Sequence, residues 1–220
     1  MSRSNRISLH RVLPTDASVL ATIHNNAFPD DNFLKLIYGP PEENIVGLAK
    51  ELEQTIRDNP NARFLKAVDN ESGSIVGWSW WSIYRDAETH IKATEDALKK
   101  STTPPPGSRC PQAYVDYRRM VVQKREKWIG GKAVAILQVL VVLPEYQGRG
   151  IGTKLLMTGV QEAKDLRLPA WLEASPAGYA IYKNCGFHDV GESLDFDLVK
   201  YGAVGGRQGY CMLMDHDGTS

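Results

Sequence analysis

Pro144-Glu145-Tyr146-Gln147-Gly148-Arg149-Gly150-Ile151-Gly152-Thr153 is the stretch on which the fold turns. It follows the most strongly apolar run of the chain, Ala133 to Leu143, and precedes a segment with Leu156, Val160, Ala163 and Leu166 at helical spacing. The apolar run is too short to cross a membrane and rich in β-branched residues, which predicts a central strand. Three glycines at alternate positions let the backbone turn tightly and bring its N–H groups close to a ligand. The helix that follows starts with unpaired N–H groups and a positive dipole end, so the place suits an anion such as a pyrophosphate. Arg149 and Lys154 add positive charge.

Two commoner phosphate loops are excluded by residue order. A Walker-type loop needs Gly-Lys-Ser/Thr, and here the order is Gly152-Thr153-Lys154. A dinucleotide fingerprint needs a third glycine, but from Gly148 that place is Thr153 and from Gly150 it is Leu155.

Working outward, Ile7 to Val12 alternates like a half-buried strand, and Thr15-Asp16 starts a helix with Val19, Leu20, Ile23 and Ala27 on one face. Phe28-Pro29-Asp30-Asp31-Asn32 breaks it, and Ile45, Leu48, Ala49, Leu52 and Ile56 define a further helix ended by Asn59-Pro60. Phe64–Asp69 and Ile75–Tyr84 read as strands around a turn, the second with Trp78, Trp80 and Trp81 and so covered on both faces. Residues 85–133 interrupt the sheet pattern as a helical insertion: a polar helix from Asp86 to Lys100, a proline loop at 102–107, then a helix striped by Tyr114, Tyr117, Val121 and Trp128. After the glycine turn and its helix come a strand (Ala170–Ala174), a short helix (Ala177–Asn184), a strand from Phe187 and a closing strand (Tyr210–Met214).

With 220 residues the chain suits one domain spanning 1–220. Lys+Arg and Asp+Glu both total 26, so there is no electrostatic footprint for nucleic acid or an anionic membrane. No run approaches a membrane span, and the polar N-terminus is not read as a signal peptide. Cys110, Cys185 and Cys211 are odd in number, widely spaced and without metal-ligand spacing, which points to a reducing, cytoplasmic setting and no metal. Oligomeric state is not readable.

Gln147-Gly148-Arg149-Gly150-Ile151-Gly152 resembles the Gln/Arg-x-x-Gly-x-Gly/Ala signature of the GNAT N-acetyltransferases. Ala180-Ile181-Tyr182-Lys183-Asn184-Cys185-Gly186-Phe187 resembles the family's second marker, Leu-Tyr-x-x-x-Gly-Phe, and Asp69 with Gly73 to Trp78 looks like its earlier strands. The resemblance is specific from about 134 to 190, looser from 6 to 84 and absent from 85 to 133. It implies an α/β fold with a mixed, mainly antiparallel seven-stranded sheet, splayed at its centre and flanked by helices. It also implies acetyl-coenzyme A as cosubstrate. Backbone groups of Leu140, Val141 and Val142 would hold the pantetheine, and the amides of Gln147 to Thr153 the pyrophosphate. Tyr182 stands where the family places the tyrosine that protonates the departing thiolate. Ser175 stands where many members have a pantetheine-contacting Asn.

An alkyl ammonium is not nucleophilic, so transfer to an amine requires removal of a proton, stabilisation of an oxyanion and loss of the thiol. No residue declares itself as the base; Glu173 could face the cleft, be merely solvated, or yield to a water chain. The alternative for Tyr182 is a packing aromatic before the Gly186-Phe187 turn. His24, His90 and His188 have no supporting spacing and read as packing or surface residues. Phe33, Tyr38, Trp80 and Tyr117 are the candidates for an acceptor pocket, alongside Trp81, Tyr84 and Tyr114, with a core role as the alternative for each. The expected reaction is acetyl transfer to a small-molecule primary amine; acetylation of a protein lysine or N-terminus, or acyl-coenzyme A binding without catalysis, are the competing readings.

Overall fold

A computed structural model describes residues 6–28 and 31–216; the extreme N-terminus and Pro29-Asp30, both used in the sequence reading, lie outside these. Within them the strands are β1 (Ile7–Arg11), β2 (Ala62–Asp69), β3 (Ile75–Tyr84), β4 (Val134–Val142), β5 (Ala170–Ala174), β6 (His188–Ser193), β7 (Phe196–Asp197), β8 (Gly206–Arg207) and β9 (Tyr210–Met214). Seven of them form one sheet in the order β1-β2-β3-β4-β5-β9-β6, and β7 pairs with β8 apart from it. All pairings in the large sheet are antiparallel except β4 with β5. The helices are α1 (Ala17–Ala27), α2 (Asn32–Tyr38), α3 (Pro41–Asp58), α4 (Ala87–Ser101), α5 (Pro111–Ile129), α6 (Ile151–Asp165) and α7 (Pro176–Asn184).

Strand periodicity explains why β3 is so rich in tryptophan. Trp78 is buried with Leu20, Ile23 and Leu52 from α1 and α3, while Trp81 and Ile83 point the other way, against Leu156 and Val160 of α6. The Trp78 indole N–H donates to the Leu20 carbonyl at 3.0 Å, tying α1 to the sheet. On the opposite face a Cβ at Gly159 would sit 2.2 Å from the Trp81 ring, so only glycine lets α6 lie this close.

Residues 85–133 fold as α4 and α5 between β3 and β4. Val121 and Ile129 of α5 pack with Tyr84, Ile136 and Trp171, so α5 lies across the face of β3, β4 and β5. The helix α2 does not stand out in the sequence. It is capped by Asp31, whose carboxylate accepts from the Phe33 and Leu34 amides at 2.9 and 3.1 Å.

The sheet separates at its centre. β4 and β5 pair only at Ala135↔Ala170 and Ile136↔Trp171. Past that point β4 continues against β3, and Leu172, Glu173 and Ala174 against β9. Two strand edges therefore face one another across a gap.

Candidate active site

β4 is apolar except for Gln138, yet only its ends are buried; Gln138, Val139 and Leu140 are partly exposed. These three residues lie where β5 has left. The register against β3 steps from Trp80↔Val139 to Trp81↔Leu137, so Gln138 is an extra, bulged residue. A bulge bends its strand and breaks the ladder locally, re-aiming backbone groups. An extended ligand can pair with such an open edge as an added strand would.

The glycine turn lies at the end of this edge. Gln147 to Gly150 are exposed, and Gly148 and Gly150 have φ of +71° and +76°, values that favour glycine. Gly150 caps α6 without a side-chain hydrogen bond, leaving the first-turn amides available. At Gly152 the backbone is ordinary, and an added Cβ would find only Val142 Cγ2, at 3.9 Å. Empty space above amide groups at a helix start is what a pyrophosphate requires, so the residues present fit the group.

Side chains of the turn mostly hold the turn itself. Gln147 Nε2 donates to the Val142 carbonyl at 2.9 Å, closing the end of β4. The Tyr146 hydroxyl donates to the buried Asp69 carboxylate at 3.0 Å, which also takes Arg6 at 3.2 Å. Arg149 donates to the Glu145 carbonyl at 2.6 Å with its guanidinium 5.0 Å from the Tyr146 ring centre, folded back on the turn rather than reaching from it. Ile151 is buried and anchors α6; Thr153 and Lys154 are exposed.

On the far side of the gap, Glu173 is held by Arg125 of α5, Nε to Oε1 at 2.8 Å and Nη2 to Oε2 at 2.7 Å. The Trp171 indole adds a third bond at 2.6 Å. Burial would raise the Glu173 carboxyl, but the charge and hydrogen bonds of Arg125, with Trp171, outweigh it and hold the group below its usual range. A carboxylate so engaged is a poor proton acceptor. Arg125 also donates to Gln138 Oε1 at 3.2 Å, so one α5 side chain spans from β5 to the bulge of β4. Neither Arg125 nor Gln138 carries a local sequence signal for this role.

Tyr182 on α7 packs its ring against Phe187, centroids 6.3 Å apart, and burial pushes its phenol up to about 12. Among the described residues its hydroxyl has no hydrogen-bond partner, so it is a protonated donor free to meet a ligand. Ser175 caps α7, its hydroxyl accepting from the Gly178 amide at 3.3 Å.

The four aromatic candidates fall into two groups. Phe33, Tyr117 and Phe196 form one cluster, with Phe33–Tyr117 centroids 4.4 Å apart and Tyr38 reaching it edge-on to Tyr114. The β7–β8 pair closes this cluster, and Arg207 lies 4.5 Å from the Phe33 ring centre while paired to Asp31 at 3.0 Å. Trp80 stands apart, stacked on Phe64 at 5.1 Å and lining a cleft between the sheet, α3, α4 and α5. His90 is buried, its Nδ1 2.8 Å from the Lys132 carbonyl and its ring stacked on Tyr84, as a packing residue would be.

The acetyltransferase (GNAT) family model matches residues 32–187, and the chain belongs to that family. The polyamine N-acetyltransferase of Drosophila melanogaster superposes with a TM-score of 0.65 at 13% identity, over 95% of this chain and 99% of that one. The Corynebacterium glutamicum structure described as histone acetyltransferase HPA2 and related acetyltransferase gives 0.61 at 17% identity, over 96% of both chains. The spermidine N-acetyltransferase of Vibrio cholerae, solved with CoA and spermine, gives 0.57 at 17%, over 97% and 98%. Among curated proteins no match is found. Among the described residues no helix is long and apolar enough to cross a membrane, and no cluster of side chains could hold a metal ion.

Proposed function

We propose that this protein transfers an acetyl group from acetyl-coenzyme A to the primary amine of a small molecule. The observation that carries the reading is the continuity of an open β4 edge with a glycine turn at a helix start. When bound, acetyl-coenzyme A supplies an acyl thioester. The amides of Gly148 to Thr153 would take its pyrophosphate, that of Gln147 being spent on the Pro144 carbonyl at 3.2 Å, and backbone groups of Leu140, Val141 and Val142 would pair with its pantetheine arm. The bulge at Gln138 breaks the ladder beside this edge, and a backbone N–H freed there would stabilise the negative charge that grows on the acyl oxygen. Tyr182, neutral at physiological pH, donates a hydrogen bond to the departing sulfur.

Glu173 serves here as a positioning residue through Arg125 rather than as the base, and the amine loses its proton to water in the cleft. Residues 1–220 act as one unit, with 85–133 supplying the wall opposite the cofactor. Three free thiols fit a reducing, cytoplasmic setting. The polyamine and spermidine N-acetyltransferases that share this fold act on amines, which is in keeping with an amine acceptor here. Thiol release with acetyl-coenzyme A and a panel of amines tests the reading. It predicts amine-dependent release matched by N-acetyl product, and acetyl-coenzyme A binding without release for any amine contradicts it.

A further inference from the structure

We propose that the acceptor carries an anionic group, a carboxylate or a phosphate, and that Arg118 and the indole N–H of Trp80 bind it. This rests on the acetyl-transfer reading and narrows its acceptor. Gln138, the bulged residue of β4, also lines the cleft that Trp80 lines, so the cleft adjoins the bulge. Two arginines of α5 line it, Arg118 and Arg125, seven residues apart and hence on one helical face about 10 Å apart along the axis.

Their states differ. Arg125 is engaged by Glu173 and Gln138. Arg118 has no hydrogen-bond or ion-pair partner among the described residues, and its Nε is buried. The Trp80 Nε1 is likewise buried without a partner, although its ring is fixed by stacking on Phe64. Buried donors are nearly always paired, so two unpaired ones on side chains that line the same cleft point to a ligand that pairs them. Both are donors only, and a guanidinium presents the planar fork that carboxylates and phosphates fit. The acidic lining residues are Glu51 and Asp96, and Asp96 already pairs with Lys99 at 3.3 Å. Lys100 faces the same space. Arg118 feels the Glu173 and Glu51 carboxylates nearby without pairing with either, so an amine with an anionic tail would supply the partner its guanidinium lacks, and a polycationic amine would not.

The test uses three amines of one chain length on the full chain: 5-aminopentanoate, 5-aminopentyl phosphate and 1,5-diaminopentane. The expected result is kcat/KM at least about tenfold higher for an anionic amine than for the diamine, with the order of carboxylate and phosphate identifying the group. Arg118→Gln should raise KM for the preferred amine on the order of 10- to 100-fold and leave acetyl-coenzyme A affinity unchanged. Trp80→Phe keeps the stacking and should raise KM less. If Arg118→Gln does not fold, Arg118→Lys removes the fork while keeping the charge. Calorimetric titration of the same amines into the coenzyme A complex reads the site without turnover. Arg118-dependent binding without acetylation contradicts acetyl transfer and not this site. Preference for the diamine, no binding of either anionic amine at millimolar concentration, or a KM unmoved in a folded Arg118 variant overturns the proposal.

Discussion

Arg125 of α5 and Glu173 of β5 form a two-pronged ion pair across the point where the sheet opens, with both side chains mostly shielded from water. The pair joins the 85–133 segment to one wall of the gap, and its link to Gln138 reaches the other. It therefore helps set the width of the cleft.

Breaking this pair from one side strands a charge. Arg125→Leu should cost about 3–5 kcal/mol in urea unfolding. Arg125→Leu combined with Glu173→Leu should recover part of that loss, because no lone ion is left buried. Additive losses in the double variant would mean that the two side chains act independently.

The same pair has a pH signature. The folded Glu173 carboxyl lies below its usual 4.5, so the stabilisation it brings is fully present above about 4.5 and fades as pH falls through the lower folded value. The stability difference between the wild type and Glu173→Gln should be flat above pH 5 and shrink below 4.5. A difference that changed between pH 6 and 8 would mean that Glu173 titrates near neutrality, as a base would.

Tyr182, pushed up to about 12, stays protonated across the working range. Tyr182→Phe should lower kcat on the order of 10²- to 10⁴-fold with acetyl-coenzyme A affinity retained. The alkaline side of the wild-type profile should show no loss from this group below about pH 11. Unchanged kcat in the Phe variant would leave the ring only its packing against Phe187.

Close packing at α6 offers a purely structural test. With Trp81 2.2 Å from a Cβ at Gly159, Gly159→Ala should lower stability by about 1–3 kcal/mol, despite alanine's better helix propensity. Equal or greater stability in a urea titration would show that α6 can shift away from β3.

Three strands were legible with their ends: Ile75–Tyr84, Ala170–Ala174 and Tyr210–Met214 stand in the structure as the sequence reading has them. The glycine turn was legible because its geometry is local, three glycines between a strand and a helix. The helix Asn32–Tyr38 was not, being too short to display a period, although Asp31 stood at its start as a cap signal. Nor were β7 and β8, two residues each, which close the aromatic cluster around Phe33 and Tyr117. The Arg125–Glu173 pair spans 48 residues of sequence, and only the packing of α5 across the sheet brings it together. Glu173 was read as a possible base because its strand position was visible and its partner was not.

The account stands or falls on the glycine turn as the pyrophosphate site. Gly152→Asp is the cleanest probe, since its backbone is ordinary and the new Cβ meets only Val142, whereas Gly150 at φ +76° would be strained by any side chain. Calorimetric titration of acetyl-coenzyme A into the wild type and Gly152→Asp, with folding checked by thermal unfolding, measures this directly. The account predicts binding to the wild type and none detectable to a folded Gly152→Asp, because a carboxylate there blocks approach and repels the ligand's charge. Equal affinity in both proteins would contradict it.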